Sequence, residues 1–76
     1  MDINLLKRIE INPKVLCGKP VIKGTRISVE LILEKIAEGY NFDEIMKEYD
    51  IEREDIKAAL FYAYEIIANE EVVEAV

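Results

Sequence analysis

Histidine is absent from this chain of 76 residues, and cysteine occurs once, at Cys17. The side chains left to do chemistry are carboxylates, lysines, arginines, tyrosines and hydroxyls. Loss of imidazole removes the commonest general acid/base and the commonest transition-metal ligand, and a single thiolate does not make a zinc site. The carboxylates Asp43, Glu44, Glu48, Asp50, Glu52, Glu54 and Asp55 invite a metal or acid/base reading. Their order lacks the loop spacing of calcium sites, and along helices they form a solvated acidic face. Thr25 has no base within sequence reach and reads as a local turn or strand hydroxyl. Cys17 has none to activate it and reads as a small, partly buried residue. Tyr62 and Tyr64 read as core or interface residues. Neither catalysis, nor a metal, nor a cofactor is expected.

The cations say more. Residues 1–27 hold Lys7, Arg8, Lys14, Lys19, Lys23 and Arg26 against Asp2 and Glu10, a balance of +4. Residues 28–76 hold fourteen acids against Lys35, Lys47, Arg53 and Lys57, a balance of −10, and the whole carries −6. A basic arm on an acidic body suits different partners for the two halves, or attraction between the arm and a neighbouring body. Lys19, Lys23 and Arg26, with Arg53 and Lys57 on a helix, are the candidate nucleic-acid contacts. Arg26 could hold a phosphate or a partner's carboxylate bidentately. Its simplest role is a salt bridge onto Glu30 or another helix carboxylate, stapling the arm to the body. Gly18 to Gly24 lacks the glycine spacing and the Gly-Lys-Ser/Thr ending of a phosphate loop. These glycines mark turns.

The elements that position these residues begin with short extended pieces. Ile9-Glu10-Ile11 alternates apolar and polar before Asn12-Pro13, as a short strand ending in a turn does. Val21-Ile22 and Arg26-Ile27 flank Lys23-Gly24, which predicts a hairpin with Thr25 in a pairing position. Ser28 is an N-cap, and Val29, Ile32, Leu33, Ile36 and Tyr40 recur at helical spacing up to Gly39. The first helix is placed at about 29–38. Asn41 with Glu44 is a capping-box pair, and Phe42, Ile45, Met46 and Tyr49 form one stripe, giving a second helix at about 42–49. Asp50-Ile51-Glu52 connects it to a third helix, from about Arg53 to Asn69.

That third helix is apolar all round. Between Ala58 and Ala68 the one charged residue is Glu65. Such a helix should be covered on several sides, and two short partner helices leave part of it bare. A chain this small buries only roughly 60% of its unfolded surface. A twofold homodimer follows as the expectation, with Phe61, Tyr62, Tyr64 and Ile66 at the interface. The expected organisation is one domain: a basic β arm at 1–27, a three-helix body at 28–69 and a flexible acidic tail at 70–76. No stretch reads as a membrane span or a charged-then-apolar leader, and the lone cysteine fits a reducing cytoplasm.

Taken in order, Asn12-Pro13-x-Val15-x-x-Gly18-x-Pro20-x-Ile22-x-Gly24-Thr25-Arg26-Ile27, then Ile32-Leu33, Gly39, Glu44-Ile45, Tyr49 and Asp55-Ile56-x-x-Ala59-Leu60-x-Tyr62-Ala63 resemble the family called domain of unknown function 433. The resemblance covers about residues 9–68. It implies a mainly α, homeodomain-like three-helix bundle with a helix-turn-helix and a short N-terminal β arm, often dimeric. It also implies a VapB-like antitoxin of a type II toxin–antitoxin module, encoded beside a PIN-like nuclease toxin. No catalytic residues are implied. Glu52 departs from the pattern, standing where members commonly carry a Thr or Ser cap. The start of the third helix is therefore expected to be less sharply fixed.

Two functions follow as expectations. The first is an antitoxin whose acidic, apolar C-terminal region neutralises a basic nuclease. The second is a dimeric transcriptional autoregulator that binds DNA through the basic arm or the helix-turn-helix. Glu52, Glu54 and Asp55 crowd Arg53 and Lys57, which weighs against base readout by the third helix, because affinity for nucleic acid rests on neutralising phosphates.

Overall fold

The computed structural model of the chain describes residues 2–69; the tail expected at 70–76 lies outside them. The fold is mainly helical with one small two-stranded sheet. A 3₁₀ segment, Ile3–Arg8, leads into strand β1 (Ile9–Glu10). A second 3₁₀ turn, Leu16–Gly18, precedes strand β2 (Val21–Ile22). Three helices follow: α1 (Val29–Ala37), α2 (Phe42–Tyr49) and α3 (Arg53–Asn69).

The helix boundaries come from local capping. Ser28 Oγ accepts the Leu31 N–H at 3.0 Å and starts α1. At α2 the box is complete: Asn41 Oδ1 accepts the Glu44 N–H, and Glu44 Oε1 accepts the Asn41 N–H, both at 2.8 Å. Each bond satisfies a backbone donor that the first helical turn leaves without a partner. Asp50 closes α2 in the left-handed region at φ 54°. The start of α3 is also fixed, contrary to the expectation drawn from Glu52. The Glu52 N–H is accepted by Asp55 Oδ2 at 2.9 Å, the carboxylate half of a capping box, which fixes this start without the half that a hydroxyl at 52 would make.

The core is built from Ile22, Val29, Ile32, Ile45, Ile51, Ile56 and Ala59, with Ile9, Ile27, Leu33, Ile36, Phe42, Met46, Tyr49 and Tyr62 packed around it. A satellite cluster joins Leu5 to Ala58 and Phe61. The covering of α3 therefore differs from the expectation. Besides α1 and α2, the N-terminal 3₁₀ segment lies along it and hides a third side. Phe61, expected at a dimer interface, is buried inside the protomer by Leu5.

The arm also pairs differently. β2 is antiparallel to β1, with Ile9 opposite Ile22 and Glu10 opposite Val21. Arg26-Ile27 forms no strand, but the predicted turn exists: Ile22 N–H donates to Ile27 O at 2.9 Å, and Val21 bridges Ser28. β2 is thus held on both edges. The pairing with β1 wins because it brings Ile9 against the core beside Ile22. Thr25 acts as the turn hydroxyl, donating to Ile22 O at 2.7 Å and accepting the Ile27 N–H at 2.9 Å. Gly24 holds φ +78° in this turn, where a β-carbon would be strained.

Candidate functional site

The best-built polar cluster centres on Arg8, which the sequence did not single out. Its Nη1 donates to Glu52 Oε1 at 2.8 Å and to Asp55 Oδ1 at 3.0 Å. Asp55 is the one buried charged residue among those described, so its carboxylate rests on Arg8 and on the Glu52 N–H. Hydrogen bonds to Glu52 and Asp55 raise the guanidinium further above its already high ordinary pKa. This is the staple between arm and body. The sequence assigned that role to Arg26, but Lys19 Nζ occupies Glu30 at 3.0 Å. Arg26 is exposed and has no ion-pair partner among the described residues.

The five candidate nucleic-acid contacts separate into two groups. Lys19, Arg53 and Lys57 are each held by a carboxylate: Glu30, Asp43 (3.1 Å) and Glu54 (3.5 Å). Arg53 also lies over the Phe42 ring, 5.3 Å from its centroid. The N-terminal end of α3 therefore presents self-neutralised ion pairs. Lys23 and Arg26, in the turn after β2, are exposed without such a partner among the described residues. Lys7, Arg8 and Lys23 share a crevice of about 330 Å³ with Thr25, Asp50 and Glu52.

The acidic side lies on α1 and α2. Glu34, Glu44, Glu48 and Asp50 are exposed with no cation within ion-pair distance among the described residues. Lys35 is held by Glu38 at 3.4 Å, and that hydrogen bond with the attraction of Glu38 raises its amine above the usual 10.5. Among the described residues no group of three or more His, Cys, Asp or Glu side chains could hold a metal ion. Cys17 is exposed rather than partly buried, in a turn where Leu16, Cys17 and Gly18 all take left-handed backbone angles.

The remaining expected interface residues part company at α3. Tyr62 is half-buried against the core, whereas Tyr64 and Ile66 are exposed, as is Ile67. Tyr62, Ala63, Ile66 and Ile67 form one wall of a groove of about 330 Å³, with Pro20, Val29 and Leu33 opposite and the Lys19–Glu30 pair at its rim. Among the described residues no helix is long and apolar enough to cross a membrane.

With this geometry in hand, the comparisons are specific. Residues 9–63 match the model of the family described as Protein of unknown function (DUF433). The fold is similar to a crystal structure of a DUF433 member from Anabaena variabilis ATCC 29413, with 29% identity and a TM-score of 0.75. The likeness covers 80% of this chain and 61% of that one, so this chain spans less than two thirds of that protein's length. Among curated proteins, none matches.

Proposed function

This chain belongs to the DUF433 family, and from that premise we propose that it is a protein-binding antitoxin that neutralises a basic, PIN-like nuclease toxin. The observation that carries this reading is the excess of unpaired acids on α1 and α2, against which Lys47 is the one exposed cation there without a carboxylate partner among the described residues. Glu34, Glu44, Glu48 and Asp50 are exposed and unmatched by any cation among the described residues, on a body whose balance is −10. A field of one sign speeds encounter with a protein of the other sign and disfavours nucleic acid on the same face. Residues 70–76, with three further glutamates, extend that charge in sequence.

The test is co-expression with the product of the neighbouring reading frame. A toxic neighbour should be silenced by this chain. Replacing Glu44, Glu48 and Asp50 by their amides or by Ser should restore toxicity while the helical circular dichroism is retained. A harmless neighbour, or a charge-stripped chain that still protects, would overturn the reading.

A second reading is favoured by Lys23 and Arg26, the exposed unmatched cations of the turn after β2. In it the chain is a DNA-binding autoregulator whose α2 and α3 form a homeodomain-like helix-turn-helix, with the arm holding phosphate. Affinity for its own promoter would then fall steeply with salt, and the slope would shrink when both cations are replaced by Ala. A flat salt dependence would sink it.

A further inference from the structure

We propose that the N-terminal segment, residues 2–8, is a strap that opens away from α3 as a unit while the three helices stay folded. Its own hydrogen bonds close upon themselves. Asp2 Oδ1 accepts the Asn4 N–H at 2.9 Å, Asp2 O accepts the Leu5 N–H at 3.1 Å, and Leu6 O accepts the Ile9 N–H. Its hydrogen bonds to the rest of the described chain are all made by Arg8. The Arg8 carbonyl accepts the Lys23 N–H at 2.8 Å, and the side chain reaches Glu52 and Asp55. One residue of the 3₁₀ segment, Leu5, is buried. The strap is thus held by a plug, Leu5, and a latch, the Arg8 side chain, with β1 as its hinge.

What the strap covers is separate from what holds the helices together. Leu5 packs with Ala58 and Phe61, whereas the helices close over Ile22, Ile32, Ile45 and Ile56. Among the described residues Ile9 alone packs against both clusters, and its pairing with Ile22 keeps it in place when the segment before it moves. Opening therefore takes no side chain out of the main core. It strands no buried charge either. Asp55 Oδ2 keeps the Glu52 N–H, and Oδ1, left by Arg8, meets water. The 3₁₀ geometry is itself weak, because its hydrogen bonds are poorly aligned. A segment with so few buried contacts opens at less cost than the whole fold. Opening switches one side of α3 between two states: covered and matched by Arg8, or apolar at Ala58 and Phe61 with Glu52 and Asp55 left free of their cation.

The strap is independent of the antitoxin reading, and its test needs no partner. Amide-resolved hydrogen exchange of the full chain, followed by NMR under native conditions, reads each opening separately. The Leu5 and Ile9 N–H groups should be protected at least about tenfold less than those of Ile32 and Ile45, which are bonded to Ser28 O and Asn41 O in α1 and α2. Ile45→Val, a small change in the main core, should speed exchange at Ile32 roughly two- to tenfold and leave Leu5 and Ile9 unchanged. Ile32→Val, read at Ile45, takes its place should the first variant lose its helical signal. Arg8→Ala removes the latch and should speed Leu5 and Ile9 several-fold. Equal protection in strap and helices overturns the proposal, as do strap amides that quicken with the core variant, since both would mean that the segment opens only when the whole chain unfolds. An Arg8→Ala chain whose strap exchanges as before overturns it too.

Discussion

Arg8 and Asp55 are the pair on which the joint between arm and body depends. Asp55 accepts from the Glu52 backbone and from Arg8, and its side chain is 12% exposed, against 74% for Glu52. A charge interaction in a drier place is less screened, so Arg8 should couple to Asp55 more strongly than to Glu52. A double-mutant cycle in urea checks this: the Arg8→Ala/Asp55→Ala coupling should exceed that of Arg8→Ala/Glu52→Ala, and equal couplings would refute it. Asp55→Ala alone leaves the Glu52 N–H and Arg8 without this acceptor and should cost about 1–3 kcal/mol. Asp55→Asn keeps an acceptor for the Glu52 N–H and should cost less. The raised pKa of Arg8 implies stability that is full below its ordinary value and lost only as pH rises through the higher folded one. The joint should therefore hold its contribution unchanged from neutral pH into mild alkali.

At the scale of elements, the N-terminal 3₁₀ segment is held chiefly by Leu5, packed onto α3. Leu5 is buried against Ala58 and Phe61, and truncating it to Ala should destabilise the fold by about 2–3 kcal/mol, as buried leucines do. Ile3→Ala, two residues away and exposed, should change little. If the two variants unfold at the same denaturant concentration, the segment is not a structural element. The contrast between this segment and the helices shows which information is local. Ser28 and the Asn41–Glu44 box act within three residues, and the stripes of α1 and α2 repeat at one helical period, so both helices were readable from the chain. The 3₁₀ segment has no such period; it exists because α3 offers Leu5 a place to be buried. The Arg8 bonds bridge separations of 44 and 47 residues, so no pattern along the sequence marks Arg8 over the other arm cations. The carboxylate that holds the Glu52 N–H could have been found. Asp55 stands three residues beyond it, at the spacing of a capping box.

For the whole molecule, the separation of charge from apolar surface predicts opposite responses to salt for a contact made through each. Two copies that met through the apolar side of α3, each at −6, would repel one another through their net charge. Added salt shortens the screening length from about 30 Å at 0.01 M to about 10 Å at 0.1 M, which suppresses that repulsion and leaves burial of apolar surface untouched. Self-association should therefore tighten several-fold over this range. A complex between the acidic face of α1 and α2 and a basic partner gains from the same long-range field, mostly through faster encounter, and should loosen as salt rises. Measuring both equilibria across one salt series, by sedimentation for the dimer and by titration calorimetry for the complex, separates the surfaces without a mutation. Parallel responses would mean that one surface serves both partners. If self-association weakens with salt, the copies are instead joined by ion pairs, with the arm carrying Lys23 and Arg26 set against a neighbour's acidic helices, and the apolar side of α3 is left for something else.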